Sequence, residues 1–165
     1  MNSASAESAD TELVELYDKR IEPCNACLKC SEEKRCIIKD DFQYIFDKMV
    51  HADGIIIGSP VYVGSVTSKV KSLIDRATYL NLQFPSRERP LRDKVAGPIV
   101  VARKVGHVYA YLQIVFFFLI TGMIVTGFAF ASAMDEGEVL KDQEGLTLAR
   151  GLGRRVARIC KKLKS

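Results

Sequence analysis

Two uninterrupted apolar runs mark the most distinct strands of the chain. One is Gly54-Ile55-Ile56-Ile57-Gly58, and the other extends from Val95 to Ala102. Continuous runs of this length, rich in β-branched residues, are typical of parallel strands that are covered on both faces. A weaker pattern that starts at Thr11 predicts an early strand, and its apolar residues are Leu13, Val14, Leu16 and Tyr17.

Apolar residues at three- and four-residue spacing predict three amphipathic helices. The first follows Asp40 and Asp41, which are good helix caps, and ends near His51. The second covers at least Val66 to Ala77, and the third closes the chain. The residues that carry the three patterns are Phe42, Ile45, Phe46 and Met49; Val66, Val70, Leu73, Ile74 and Ala77; and Ala149, Leu152, Val156, Ile159 and Leu163.

The segment from Val108 to Met134 contains no charged residue and has two interpretations. It is long enough to span a bilayer. It also fits a buried helix from about His107 to Ile120, a break at Thr121-Gly122 and a strand from Met123 to about Ala131. We favour the second interpretation because polar residues and glycines interrupt the run. The apolar surface of such a helix must be buried, and an interface with another subunit would bury it.

The order of these elements predicts one doubly wound α/β domain over residues 1–165. In such sheets, ligands bind beyond the carboxyl ends of the strands. The loops Ser59 to Ser65 and Arg103 to His107 both follow strands, so we expect them to meet there. The cysteine-rich loop at 24–36 follows the early strand, and we expect it at the same edge. Residues 1–10 carry no pattern that predicts a helix or strand, and Asn81 to Arg92 is predicted to be an irregular loop.

The net charge of +4 is concentrated in the last helix. Cations near a helix C-terminus are favourable, and no aromatic residues are interleaved with them as nucleic-acid binding would require. We therefore expect a solvated basic face that binds no nucleic acid. No segment resembles a secretory signal, so we expect a cytoplasmic protein that does not associate with membranes.

Four of the five cysteines lie close together, at Cys24, Cys27, Cys30 and Cys36. Two gaps of two residues and one of five would let the thiolates converge on a [4Fe–4S] cluster. Compact ferredoxin runs have gaps of two, two and three, so the spacing is similar and not identical. A structural zinc site usually has two separated ligand pairs, and a disulfide framework needs an oxidising compartment. Zinc, disulfides and an unmetallated loop remain alternatives. Cys160 adjoins the apolar stripe of the last helix and is predicted to be a buried thiol.

The cysteine run occurs together with Gly58-Ser59-Pro60-Val61-Tyr62, and this combination resembles the iron–sulfur flavoprotein branch of the flavodoxin-like NADPH-dependent FMN reductase superfamily. Other segments carry the same resemblance: Ile38 to Asp41, Ala52 to Ile57, Lys71 to Arg76, Leu91 to Gly97 and Gly122 to Val125. It implies a flavodoxin-like parallel sheet, an FMN site at its edge and subunits that pair so that cluster and flavin exchange electrons.

The resemblance also implies which residues form the two sites. The [4Fe–4S] ligands would be Cys24, Cys27, Cys30 and Cys36. One loop would pass the flavin ring, bonding its polar edge through the backbone and contacting its plane with the Tyr62 ring; this loop comprises Ser59, Pro60, Val61, Tyr62, Val63, Gly64 and Ser65. Arg103 and Gly106 would line the other side, although the family often has two adjacent glycines where this chain has Val105-Gly106.

The chain departs from the family at its start. The family opens with a strand and a loop that binds the FMN phosphate at a helix N-terminus, and nothing before Thr11 fits either. The absence of that strand would leave a gap in the middle of the sheet. We therefore expect an N-terminally truncated sheet, and FMN binding that is weak or needs an added N-terminal segment.

The resulting hypothesis is electron transfer from a donor such as ferredoxin, through the cluster, to FMN. One alternative is an NAD(P)H-dependent FMN or quinone reductase, and another is a zinc-stabilised interaction module without enzymatic activity. A homodimer or homotetramer is expected. His51 is predicted to be structural, whereas His107, beside the flavin loop, is a candidate for a functional contact.

Overall fold

The computed structural model describes residues 1–164. The helices are α1 (Asn2–Ser5), α2 (Cys30–Glu33), α3 (Phe42–His51), α4 (Ser68–Leu82), α5 (His107–Ile120) and α6 (Gln143–Lys164). The strands are β1 (Gly54–Pro60), β2 (Val95–Ala102), β3 (Ile124–Val125) and β4 (Ala129–Ser132). Short 3₁₀ turns cover Ser86–Glu88 and Glu138–Lys141. The alternation of strands and helices confirms the predicted α/β class.

The four strands form one parallel sheet in which β2 lies at the centre. On one side β2 pairs with the full length of β1, from Gly54 opposite Val95 to Pro60 opposite Val101. On the other side it pairs first with β3 and then with β4. All four strands point the same way, so their carboxyl ends lie at one edge.

The predicted strand from Met123 to Ala131 is split into β3 and β4. Val125 lies opposite Ala96 and Ala129 lies opposite Ile99, so three residues face the two residues Gly97 and Pro98. This is the count of a β-bulge. Pro98 has no N–H to donate to its neighbour, which gives a physical reason for the break in pairing.

Helices cover the two faces of the sheet unequally. α3, α4 and α5 pack on one face in a core that includes Ile55, Ile57 and Val100. α6 packs on the other face, where Leu152 and Val156 contact β2 and β4. The first face carries most of the buried apolar side chains.

The prediction that β1 is covered on both faces is wrong. Its residues alternate between buried and less buried, and Ile56 retains 39% of its surface exposed. A Cβ added to Gly58 would have no neighbour within 4 Å. α6 reaches the first residue of β1, where Val156 and Cys160 approach Gly54. The remainder of that face of β1 is open.

The predicted early strand at Thr11 to Tyr17 is also wrong. This segment has no regular secondary structure, and within residues 1–164 no backbone hydrogen bond joins it to β1. Val14 and Leu16 instead pack their side chains on the core of α3 and α4. Since parallel pairing alternates, the N–H groups of Ile56 and Gly58 point away from β2, toward a side where the described chain supplies no strand.

The uncharged segment forms α5 and the two short strands, as the second interpretation predicted. Within residues 1–164, no helix combines the length and the apolar character needed to cross a membrane. One side of α5 is fully buried, with Ala110, Ile114, Phe117 and Phe118 in the core. The opposite side is apolar and exposed, and its residues are Val108, Tyr109, Leu112, Phe116 and Leu119.

Two predicted helices are longer than their apolar stripes. α4 begins at Ser68 rather than Val66, and the Thr67 side chain caps it by accepting a hydrogen bond from the Val70 N–H. α6 begins at Gln143, with the Asp142 carboxylate accepting from the Gly145 N–H at 2.9 Å. Polar caps therefore fix both starts.

Two glycines of α6 provide a matched stability test. A Cβ on Gly145 would lie 2.6 Å from the Cβ and 2.8 Å from the Cα of Ala131, whereas one on Gly151 would meet nothing within 4 Å. We expect Gly145→Ala to destabilise the fold by about 1–3 kcal/mol through overpacking. Gly151→Ala should stabilise it by roughly 0.5–1 kcal/mol because alanine is the better helix former. Urea unfolding of both variants checks the opposite signs, and equal effects would contradict this packing of α6 on β4.

Candidate functional site

The loops after β1 and β2 meet at the carboxyl edge of the sheet, as predicted. Gly106 has a φ of +97°, and a Cβ there would lie 2.8 Å from Val61 Cγ1 and 3.4 Å from Gly64 Cα. A glycine is therefore required both by the backbone conformation and by the close approach. The contact brings the two predicted flavin-binding loops together.

The tip of the first loop is a tight turn that presents side chains outward. Tyr62 and Ser65 exchange backbone hydrogen bonds of 2.8 and 3.0 Å, with Val63 and Gly64 between them at positive φ. The Tyr62 ring is 63% exposed and Val63 is fully exposed. The turn thus offers an aromatic face and an apolar side chain at the sheet edge.

Ser59 has a structural role in the same loop. Its hydroxyl is buried, donates to the Pro60 carbonyl at 2.8 Å and accepts from the Thr67 N–H at 3.1 Å. Among the residues predicted to bind flavin, Ser59 therefore uses its hydroxyl to stabilise the loop, through hydrogen bonds to the backbone.

The second loop contributes Arg103 and His107. Arg103 is exposed beyond the end of β2. His107 Nε2 lies 3.0 Å from the Ala131 carbonyl, and its ring centre lies 5.4 Å from that of Phe130. The imidazole therefore ties the start of α5 to the end of β4. A contact of His107 with a cofactor stays a prediction.

The four cysteines of the compact run line one cavity of about 80 Å³. Its other walls include Ile37, Ile38, Tyr79 and Leu80. Within residues 1–164, no three His, Cys, Asp or Glu side chains are close enough to share a single metal ion. The four cysteines therefore share one cavity wall without forming a single-ion site in this part of the chain.

The loop adopts an unusual backbone between its cysteines. Ala26 and Leu28 have φ values of +53° and +62°, and Lys34 at the end of α2 has +52°. Non-glycine residues rarely adopt this left-handed region, and such strain is concentrated at ligand sites. Ala26 and Leu28 flank Cys27, and both line the cavity.

A buried ion pair fixes the loop to α4. Arg76 and Asp40 have side chains that are 1% and 0% exposed, and Arg76 Nη1 and Nη2 donate to the two Asp40 oxygens at 2.5 and 2.9 Å. Nη1 also donates to the Glu22 carbonyl at 3.0 Å, and the guanidinium lies 4.1 Å above the Phe42 ring. Asp40, predicted as a simple helix cap, is mainly the partner of this arginine.

Arg76 also contacts the cysteines directly. Its Nη2 donates to Cys36 Sγ at 3.1 Å. Burial raises the pKa of the Cys30 thiol, and the other three cysteines of the loop raise it further. Burial also acts to raise the pKa of Asp40, but hydrogen bonds from Arg76 and two backbone N–H groups hold that pKa below its usual value.

A second link holds the far end of the loop. Lys34 Nζ donates to the Gln83 carbonyl at the end of α4 at 2.8 Å and to the Ser31 carbonyl at 2.9 Å. The ammonium also lies 5.9 Å from the centre of the Phe84 ring. Both links reach α4, so this helix supports the cysteine loop along its later turns.

The expectation that the cysteine loop joins the carboxyl edge of the sheet is wrong. The cavity touches Arg76, Tyr79 and Leu80, whereas the flavin loop leads into the first turn of α4 at Ser68. Tyr79 is eleven residues after Ser68, a separation of about 16 Å along the helix axis. No early strand forms to deliver the cysteines to that edge. The segment before the cysteines instead runs beside α4, where Lys69 donates to the Tyr17 carbonyl and Arg76 donates to the Glu22 carbonyl.

Arg76 was not identified as a site residue from the sequence, although a signal was present. It shares the buried face of α4 with Leu73, Ala77 and Leu80, where a charged residue needs a partner.

Cys160 is half-buried, and burial raises the pKa of its thiol. His51 Nδ1 lies 2.6 Å from the Asp47 carbonyl at the end of α3, which agrees with a structural role.

Comparison with known proteins identifies the family. The model of the NADPH-dependent FMN reductase family matches residues 1–137. The chain belongs to this family. An iron–sulfur flavoprotein of Methanocaldococcus jannaschii is 40% identical over 99% of this chain and 88% of its own length. A second from the same organism is 34% identical over 91% of this chain and 81% of its own length. These relatives place this FMN reductase family member in the iron–sulfur flavoprotein branch.

Solved structures confirm the flavodoxin-like fold. RosB, determined with 8-demethyl-8-formylriboflavin-5'-phosphate, superposes with a TM-score of 0.73 at 19% identity over 98% of this chain and 69% of its own. An archaeal flavodoxin superposes with a TM-score of 0.58 at 15% identity over 97% of this chain and 84% of its own. Family membership supports FMN as the cofactor and a flavin-dependent redox role.

Proposed function

We propose that this chain is an electron-transfer iron–sulfur flavoprotein that accepts electrons from a carrier such as ferredoxin. The observation that supports this most is the convergence of Cys24, Cys27, Cys30 and Cys36 on one cavity whose walls are otherwise largely apolar. When bound, a [4Fe–4S] cluster would supply one-electron steps and FMN would convert between one- and two-electron chemistry.

The residues of the chain would hold these groups at two places. The four cysteines would ligate the cluster, and the side chains of Ile37, Ile38 and Leu80 would restrict water around it. At the carboxyl edge, the turn from Tyr62 to Ser65 would lie along the flavin ring, with Arg103 and Gly106 across from it. Within residues 1–164, the sheet ends at β1 on that side.

The composition of protein purified without oxygen tests this proposal. We expect about four iron and four sulfide per chain, as a four-cysteine cluster requires. Cys30→Ser should lose most of the iron. Cys160→Ser is the matched control, since Cys160 lies beside Gly54 on the other face of the sheet, and it should keep its iron. Zinc in place of iron and sulfide would instead support the interaction module.

A second candidate is direct reduction of the flavin by NADPH, which the description of the matching family favours. Stopped-flow mixing distinguishes the two. If the cluster is the entry point, reduced ferredoxin should bleach the visible spectrum at least tenfold faster than NADPH at equal concentration. Faster bleaching by NADPH would select the reductase. A ferredoxin rate that falls with ionic strength would indicate that the basic surface steers an acidic carrier.

We further propose that a second copy of this chain covers the exposed face of α5. That face is a continuous apolar stripe, and Tyr109 at its start adjoins Gly64 in the flavin loop. Single exposed apolar residues are common, but a stripe of this length marks an interaction site. Because the cysteine cavity and the flavin loop of one chain lie at different ends of α4, pairing of chains offers a route to bring unlike sites together.

The variant Phe116→Glu tests this interface. Phe116 is 66% exposed at the middle of the stripe, so a charge there would be desolvated on pairing while leaving the core intact. We expect the mass from light scattering to fall to that of one chain. The variant should still unfold in a cooperative thermal transition, which shows that its core is intact. Thr147→Glu, an exposed position on α6, is the control and should keep the parent mass. A monomeric parent would contradict the proposal.

A further inference from the structure

Arg76 makes a contact that an anchoring role does not require. Its ion pair with Asp40 and its bond to the Glu22 carbonyl already tie the loop to α4. The additional Nη2 hydrogen bond ends on Cys36 Sγ at 3.1 Å. This sulfur belongs to one of the four cysteines that are proposed to ligate the cluster.

The guanidinium has one further donor available. Nη1 and Nη2 have partners, but Nε is buried and has no hydrogen-bond partner within the described residues. Arg76 itself lines the cavity that the four cysteines surround. A buried donor without a partner costs free energy unless a ligand satisfies it. This unsatisfied donor belongs to the same guanidinium that bonds Cys36 and lines the cavity.

We propose that Arg76 is a positioning residue that hydrogen-bonds the Cys36 thiolate and raises the reduction potential of the bound cluster. This inference rests on the proposed function and concerns how the cluster site is tuned. One-electron reduction adds a negative charge to the cluster and its thiolates, with the electron supplied by the donor. Donors to the sulfurs stabilise that added charge, and this is an established means of setting cluster potentials.

The geometry favours arginine over any other residue at this position. The guanidinium stays charged at all relevant pH values and presents its donors in a fixed plane. Asp40 holds that plane in place through two bonds, so the Nη2 donor points at Cys36 without freedom to rotate. Although the pair is neutral overall, its positive member is the one bonded to the sulfur, in a site where low polarity strengthens the interaction.

Reduction potentials of variants provide the first test. Potentials measured by dye titration should fall in Arg76→Gln and Arg76→Lys by about 59 mV or more, equivalent to a tenfold weaker reduction equilibrium. Arg35→Gln is the control, because Arg35 immediately precedes Cys36 and carries the same charge but is exposed. Its potential should change much less, since solvent screens exposed charges. Unchanged potentials in cluster-containing Arg76 variants would overturn the inference and leave Arg76 as an anchor only.

A measurement on the unmodified protein covers the case in which Arg76 variants do not fold. The chain labelled with ¹⁵N-arginine, reduced with dithionite, should show a ¹⁵N coupling to the cluster by electron–nuclear double resonance. Parent protein that contains iron and sulfide but shows no such coupling would overturn this inference alone. Parent protein without iron and sulfide would overturn the proposed function and this inference together, so the two failures are distinguishable.

Discussion

The buried pair of Arg76 and Asp40 is the interaction on which the cysteine site depends. One partner comes from the middle of α4, and the other from the segment between the cysteines and α3. Removing either would leave an uncompensated buried charge, which typically costs about 3–5 kcal/mol. The pair therefore joins an irregular loop, which has little regular secondary structure of its own, to a helix in the core of the sheet.

The sheet provides the second constraint. Its parallel strands gather two loops at one edge, where Gly106 allows the backbone of one loop to approach the other closely. The cysteine loop is held at the other end of α4. The fold thus separates the two predicted cofactor sites along one helix instead of merging them in one crevice.

Much of this arrangement was predictable because local patterns determine it. The apolar runs of β1 and β2, the spacing of α3 and α4 and the cysteine run all specify their elements directly. The early segment was mispredicted as a strand. Its apolar residues Val14 and Leu16 pack on the core from an irregular backbone, and their sequence pattern does not show this. The split at Pro98 depends on which side of β2 lacks an N–H, and register is not visible in a single apolar run. The role of Arg76 depends on contacts with residues that lie 36, 40 and 54 positions away in the chain.

The links from Arg76 and Lys34 to α4 have a consequence for the order of assembly. These contacts are made by protein groups alone. Arg76 bonds Glu22 and Asp40, which flank the four cysteines, and Lys34 lies between the last two cysteines. Much of the conformational entropy of the loop is therefore lost when the chain folds, through contacts that need no cofactor. Insertion of the proposed cluster would then need to order only the short turns between adjacent cysteines. It would be capture by a nearly formed site and not coupled folding and binding.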